Sequence, residues 1–507
     1  MISALSIIVA LAQATALLMS VAFITYVLLI VRPFLRDRPR PAGRAENLSW
    51  HFFVPALNEE RVIGQTIDHL RAAFPGTDVW VIDDASDDHT AAIIGRRASV
   101  DPLVHLVPRR LPEARTGKGD ALNAAYRTLS DWLPARTDRS RTIIGVVDAD
   151  GRLAPNCLDV CAGRNLFGDT GVGSVQVLVR MLNRADRRSR PDRGRAVNFV
   201  GHVLNRLQDL EFRVPISAIQ VTRRFTGTVG LGGNGQFSRL SALDVVADRT
   251  GRPWRGALLD DYELSLHLML TGHRNAYTQD TYVDQEALPD IGRLLRQRTR
   301  WGQGTMQCGS YLRQLWTSDH VSRIGALEAT YYLSQPWLQL IGTFVYPVPF
   351  VLLLAGYLAH PAAMTSWALV GGWMAAAYYL TFGVGPFLLW GPLYRKRCEP
   401  DLTITQALGL GFAYSCYVLM IYLTSWRALT RIVRGKREWF KTRRNAEFIG
   451  SIRPSAPAPD PRPAPRPAPV PRPAPVPRPA PVPRPAPVPR SAPVGIPALA
   501  EVMGDAQ

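Results

Sequence analysis

The stretch Ile143-Ile144-Gly145-Val146-Val147-Asp148-Ala149-Asp150 is a short apolar run that ends abruptly in two carboxylates one residue apart. A short apolar run bounded by polar residues reads as a buried strand. Side chains two apart on an extended chain point the same way, so Asp148 and Asp150 can hold one hard divalent cation between them. A pair of solvated acids in a turn is the competing reading. Placement directly after a strand favours the cation.

The same grammar recurs upstream. Residues 51–55 run into Ala56-Leu57-Asn58-Glu59, and residues 79–82 run into Asp83-Asp84-Ala85-Ser86-Asp87. From about residue 48 to 304 such strands alternate with helical stretches, which predicts an α/β domain built on a mostly parallel sheet. Ligands of open α/β sheets bind beyond the carboxyl ends of the strands, so these polar residues are expected on one edge. There Asp83 and Asp84 suit the hydrogen-bond donors of a nucleotide, with an Asx turn and a helix cap (Ser86 or Asp87) as the rival reading. Gly117-Lys118-Gly119 offers one cation on a flexible loop, suited to a diphosphate.

Farther on, Gly232-Gly233-Asn234-Gly235 permits close approach of a ligand to the backbone. Asp260-Asp261 precedes a helical stretch over residues 262–270, where Asp261 could serve as general base toward a hydroxyl. Acids at a helix start also occur to satisfy the dipole. Gln297-Arg298-Thr299-Arg300-Trp301 closes the series; Arg300 suits a diphosphate and Trp301 a flat apolar ring face, with an interfacial anchor as the alternative.

Around this core the chain of 507 residues changes character. A net charge of +18 raises nucleic-acid binding, but the arginines flank apolar runs instead of interleaving with aromatics, so no nucleic-acid partner is expected. Five scattered cysteines form no disulfide framework. Uncharged apolar runs at residues 5–31, 331–358, 367–394 and 404–426 are each long enough to cross about 30 Å of hydrocarbon. Arg32, Arg36, Arg38 and Arg40 after the first run place the following domain in the cytoplasm by the positive-inside rule. The expected order is an N-terminal span (1–34), a catalytic domain (48–304), an interfacial helical segment (305–330), C-terminal spans (331–430), a basic cytoplasmic segment (431–453) and a Pro/Arg-rich tail (454–507). Basic clusters flank both ends of residues 404–426, so a hairpin or re-entrant segment, such as residues 383–392, is one way to satisfy the rule. The tail repeats Arg-Pro-Ala-Pro-Val-Pro, with Arg466, Arg472, Arg478, Arg484 and Arg490 every six residues, as for polyproline II.

Taken together, the motifs resemble the membrane-integrated family 2 glycosyltransferases, the group of the cellulose, chitin, hyaluronan and poly-N-acetylglucosamine synthases. Val54-Pro55-Ala56-Leu57-Asn58-Glu59 is similar to that family's opening strand and turn, Asp83-Asp84 to its nucleotide-binding acids and Asp148-Ala149-Asp150 to its DxD. Leu259-Asp260-Asp261 stands where the family has Thr-Glu-Asp, and residues 297–301 fit QxxRW. The resemblance implies a GT-A fold and an inverting transfer from a nucleotide-sugar, with Mg²⁺ or Mn²⁺ at Asp148 and Asp150. It implies Asp261 as base, Asp83, Asp84, Lys118, Asp148 and Arg300 on the donor, and Gln297, Trp301 and Asn234 on the acceptor. A growing polysaccharide is the first expected acceptor. A membrane lipid is the alternative, because residues 232–237 are unlike the corresponding segment of cellulose-synthase relatives, and a non-catalytic membrane scaffold is the remote one.

Overall fold

The computed structural model describes residues 4–436. The Arg-Pro repeat and most of the basic segment before it lie outside them. The chain opens with α1 (Ala4–Arg36) and enters β1 (Ser49–Ala56), α2 (Ile63–Ala73), β2 (Asp78–Asp83), α3 (Thr90–Ala98), β3 (Val104–Pro108), α4 (Lys118–Trp132) and β4 (Thr142–Val146). This is the predicted alternation, and β3-β2-β1-β4 pair in parallel. Period-two alternation sorts the side chains: Trp50, Phe52 and Val54 of β1 enter one core layer, while Phe53 enters the other beside Trp80 and Ile82. Gly145 lies where that packing is tightest. A Cβ there would stand 2.6 Å from the Phe237 ring, so only glycine lets the two strands meet.

Beyond β4 the expected mostly parallel sheet is corrected to a mixed one. After β5 (Arg152–Leu153), α5 (Cys157–Cys161) and β6 (Val172–Met181), a long helical passage follows: α6 (Arg195–Glu211), a π turn over Phe212–Ile216, and α7 (Ser217–Thr226). Then β7 (Gln236–Arg239) inserts antiparallel between β4 and β6. The sheet is completed by α8 (Leu240–Thr250), α9 (Asp260–Leu270) and β8 (Arg274–Gln285), in the order β3-β2-β1-β4-β7-β6-β8-β5.

The C-terminal third is helical. It comprises α10 (Ile291–Cys308), α11 (Leu312–Thr317), α12 (Arg323–Val345), α13 (Pro347–Ala359), α14 (Pro361–Trp367), α15 (Trp373–Tyr379), α16 (Gly385–Leu388), α17 (Trp390–Arg397), α18 (Ile404–Val418) and α19 (Met420–Val433). Among the described residues, two helical stretches are long and apolar enough to cross a membrane, Leu11–Arg36 and Ile404–Val433. The other two apolar runs are broken. Pro347 starts a new helix inside residues 331–358, and residues 367–394 divide at π turns, with Gly371 at φ 130° and a further break before Pro386. Neither run lies within a single helix. The first run, α1, packs chiefly on α7, with Val27, Ile30 and Phe34 in one apolar cluster with Val214 and Ala218.

Candidate active site

The strand ends converge as the sequence predicts. Beyond β1, β2 and β3 stand Asn58, Ala85 and Arg115, all non-glycine residues with positive φ of 53°, 60° and 63°. Backbone in this region is costly for L-residues and collects where surrounding structure fixes a loop for a purpose. Ser86 does not cap the next helix: its hydroxyl accepts from Asn58 N at 3.0 Å. Asp87 pairs with Arg115. The Asp84 carboxylate is buried, accepts from the Arg109 guanidinium and from Arg115 N at 3.1 Å, and so holds the loop after β3. Burial pushes its pKa up, against the pull of Arg115 and Arg109. Asp83, also buried, accepts from Ser86 N at 3.3 Å.

At the end of β4, Asp148 meets the first residue of α4. Lys118 Nζ donates to Asp148 Oδ1 at 2.6 Å and to Gly233 O at 3.0 Å. Burial works to lower the Lys118 pKa, but Asp148, Asp260 and Asp261 outweigh it and hold the ammonium above the usual lysine value. Asp148 stays partly exposed, whereas Asp150 is buried and its Oδ2 accepts from Glu286 N at 3.1 Å. No group of three or more His, Cys, Asp or Glu side chains able to cage a metal occurs among the described residues. Two carboxylates suffice for an ion such as Mg²⁺, which keeps several waters and takes phosphate oxygens as its other ligands. The donor set therefore fits such an ion when a diphosphate is present.

Asp260 and Asp261 open α9 on the far side of Lys118. Burial, then the neighbouring Asp260 charge, pushes the Asp261 carboxyl up to about 7, against the pull of Lys118 and Arg300. Asp260 is raised by burial as well, and its Oδ2 is a buried oxygen with no hydrogen-bond partner. Arg300, on α10, has a buried Nε in the same condition. Orphaned buried atoms of opposite polarity beside one carboxylate mark a cleft built to receive polar groups from a ligand.

One expectation changes on contact with the geometry. Asn234, expected at the acceptor, is a buried brace. Its Oδ1 accepts from Asp148 N at 3.1 Å, its Nδ2 donates to Gln285 Oε1 at 2.9 Å, and its own carbonyl accepts from Gln176 Nε2 at 2.9 Å. The indole of Trp301 lies under Arg298, 4.4 Å from the guanidinium, with Phe212 edge-on at 6.2 Å. Arg298 is fixed by Glu211 and by the Tyr417 hydroxyl at 3.1 Å. Gln297 is half-buried on the same helix. Sequence reading passed over Gln176, Gln285, Glu211 and Arg298. Gln176 carried a signal, being a polar residue inside the apolar strand Val172–Met181.

The sequence profile described as "Glycosyltransferase like family 2" matches residues 50–304, half of the chain and the segment that carries the described sheet, all but Ser49 at its first strand. The chain is a family 2 glycosyltransferase. Its fold is shared with the mannosyltransferase PcManGT from Pyrobaculum calidifontis, solved with GDP-Man and Mn²⁺, at a TM-score of 0.53 and 18% identity over 84% of this chain and 99% of that one. A beta-monoglucosyldiacylglycerol synthase of Synechocystis sp. is 31% identical over 258 residues, 50% of this chain and 47% of that protein. An undecaprenyl-phosphate mannosyltransferase of Micrococcus luteus is 33% identical over 124 residues, 24% of this chain and 47% of that protein. The glycosyltransferase thus spans about half the length of the curated relatives it matches.

One glycine of the glycosyltransferase makes a sharp prediction. Gly233 has φ 78°, and a Cβ there would stand 2.6 Å from Asp261 Oδ2 and 3.3 Å from Lys118 Nζ. Gly233→Ala is expected to lower turnover by about a hundredfold, the scale of a catalytic group displaced by 1 Å, and to lower the melting temperature too, because alanine at positive φ is strained. Turnover within threefold of the parent would show that the Lys118–Asp261 spacing is not critical.

Proposed function

We propose that this glycosyltransferase moves a sugar from a nucleotide-sugar, a UDP-sugar in the first instance, onto the hydroxyl of a membrane lipid with inversion at the anomeric carbon. The carrying observation is the position of α10. The helix bears Arg300, whose charge reaches Asp260 and Asp261, and it also buries Met306 against Leu340 of α12 and Ala428 of α19 in the apolar helical layer. A lipid headgroup arriving along that layer meets the catalytic carboxylates directly. The named activity of the diacylglycerol-glucosylating relatives supports this reading over the polysaccharide synthase that the motifs first suggest.

In this reading Asp83, Asp84 and Lys118 surround the donor, with Asp84 acting through the loop it holds. Asp148 and Asp150 hold Mg²⁺ or Mn²⁺, which when bound neutralises charge on the diphosphate. Arg300 adds a fixed cation for the same group. Asp261 takes the proton of the acceptor hydroxyl; the oxygen forms its bond to the anomeric carbon while the bond to the diphosphate breaks, the electron pair leaving with the nucleoside diphosphate. Gln297 and Trp301 border the acceptor, Trp301 oriented by Arg298. A carboxyl near pH 7 is matched to a hydroxyl acceptor, whereas a lipid phosphate is already ionised and needs no base. Attachment to the bilayer through residues 11–36 and 404–433, with the catalytic domain in the cytoplasm, is part of the proposal and follows the arginines after α1.

The test uses detergent-solubilised full chain, a panel of UDP- and GDP-sugars, Mg²⁺ or Mn²⁺, and diacylglycerol or polyprenyl phosphate as acceptor. Labelled product that extracts into organic solvent with diacylglycerol, and disappears in Asp148→Ala, is the expected result. Long polymer that stays out of the organic phase would instead restore the polysaccharide reading.

A further inference from the structure

In its first half α6 is turned inside out. Its polar side chains face inward and tie down the preceding loop: Asn198 accepts from Arg190 N at 2.9 Å and donates to the carbonyls of Arg190 at 2.7 Å and Arg193 at 2.9 Å. Buried Asn205 donates to Ser189 Oγ at 2.9 Å. The apolar side chains face out instead, with Val197 and Val200 exposed and Phe199 68% exposed. Helices of globular proteins carry the opposite arrangement.

The loop held in this way is strongly basic. Residues 184–195 contain six arginines and two aspartates. Arg184 and Arg190 are engaged with Glu399 and Asp290. Arg187, Arg188, Arg193 and Arg195 are exposed, and of the two acids Asp192 pairs with Arg193 while Asp186 accepts from Arg188 N. Positive charge and apolar surface therefore share one preformed face.

We propose that this face, the β6–α6 loop with the outer stripe of α6, docks on the surface of a bilayer containing anionic lipid. Charge complementarity supplies the first argument: guanidinium groups meet the headgroups while Phe199 and its neighbours enter the acyl boundary, the division of labour of an interfacial helix. Continuity supplies the second. The stripe runs through Val203 into Leu204 and Leu207, which pack on Trp390 of α17 and on Tyr414 and Tyr417 of α18. That helical stretch, Ile404–Val433, is one of the two apolar enough to cross a membrane. A soluble polyanion would match the arginines but leave Phe199, Val197 and Val200 in water. The proposal goes beyond the acceptor reading and does not depend on it.

The loop carries its own protease sites, so the native full chain serves as probe. It is reconstituted in nanodiscs of phosphatidylcholine alone or with about a third phosphatidylglycerol, and trypsin cleavage after Arg187, Arg188 and Arg193 is timed by mass spectrometry against cleavage after exposed Arg136. Protection of at least about fivefold in the anionic discs, absent in neutral ones and lost in 1 M salt, is expected. Phe199→Ser, a change at the surface, should weaken the protection without altering donor turnover. Equal cleavage in both lipids overturns the proposal. So does protection that follows protein concentration instead of lipid charge, which would mark a contact between copies. Donor turnover read in the same discs reports separately on the acceptor reading.

Discussion

Asp261→Asn is expected to lower sugar transfer by about a thousandfold, the scale of a lost general base, while the protein becomes more stable above neutral pH. Both effects come from one carboxyl. Burial and Asp260 raise it to about 7, far above the usual aspartate value of about 3.9. Between roughly pH 4 and 7 the folded chain therefore holds a proton that the unfolded chain has released, and the contribution of this group to stability falls as pH rises through that window. Asparagine has no charge to bury. Its melting temperature should match the parent near pH 4, exceed it increasingly up to about pH 7, and stay higher beyond. The parent's kcat/KM should fall below pH 7 as the base becomes protonated. A variant that keeps a tenth of parental turnover would remove Asp261 from the role of base, whatever its stability.

The second large effect is expected a layer behind the proposed chemistry, at Glu328→Ala. Glu328 lies on α12 and gathers three other parts of the chain. It pairs with Arg223 of α7 at 2.8 Å, accepts from Thr228 Oγ1 at 2.6 Å, and accepts from Tyr26 of α1 at 3.4 Å. Arg223 is nearly inaccessible and stacks 4.2 Å from the ring centre of Tyr332, which in turn packs at 4.9 Å on Tyr262, the neighbour of Asp261. Removing the carboxylate leaves a buried guanidinium without its counter-charge, a loss of about 3–5 kcal/mol. Replacing both partners by apolar residues, Arg223→Met with Glu328→Leu, should recover most of it, because the penalty belongs to the orphaned charge. Thermal melts of the three proteins decide the matter. A single variant that melts with the parent would mean that water reaches Arg223.

Much of this organisation was legible because strand ends announce themselves. The apolar runs before Asp83 and Asp148 needed no partner to be recognised, and the rule that ligands gather at carboxyl ends then put these two on one edge in advance, whereas Lys118 and Asp261 joined them only through the family resemblance. What escaped depended on tertiary context. The strand Gln236–Arg239 carries two polar residues and an arginine, so nothing local marks it as a buried, reversed member of the sheet. Asn234 looked like a ligand contact because a polar residue among glycines is ambiguous until its bonding partners are known. The apolar runs 331–358 and 367–394 had the composition of spans, but Pro347, Gly371 and Pro386 decide where each helix stops. The outward face of α6 reads as an ordinary amphipathic stripe; which side is wet is settled only by the loop that Asn198 and Asn205 hold.

The seam between β4 and β7, where the parallel half of the sheet meets the reversed strand, divides the proposed labour as well. Asp83, Lys118 and Asp148 come before the turn that leads into β7, and Asp261, Gln297 and Trp301 come after β7, with Arg300 the one proposed donor contact on the later side. Across it run the β4–β7 ladder, the bond from Lys118 to Gly233 O and the bond from Asp148 N to Asn234. A lineage that keeps Gly233, Asn234 and Arg300 can therefore exchange the rest of the later half for one fitted to a different acceptor while inheriting its donor site unchanged. In an enzyme built this way, acceptor preference is free to diversify faster than donor preference.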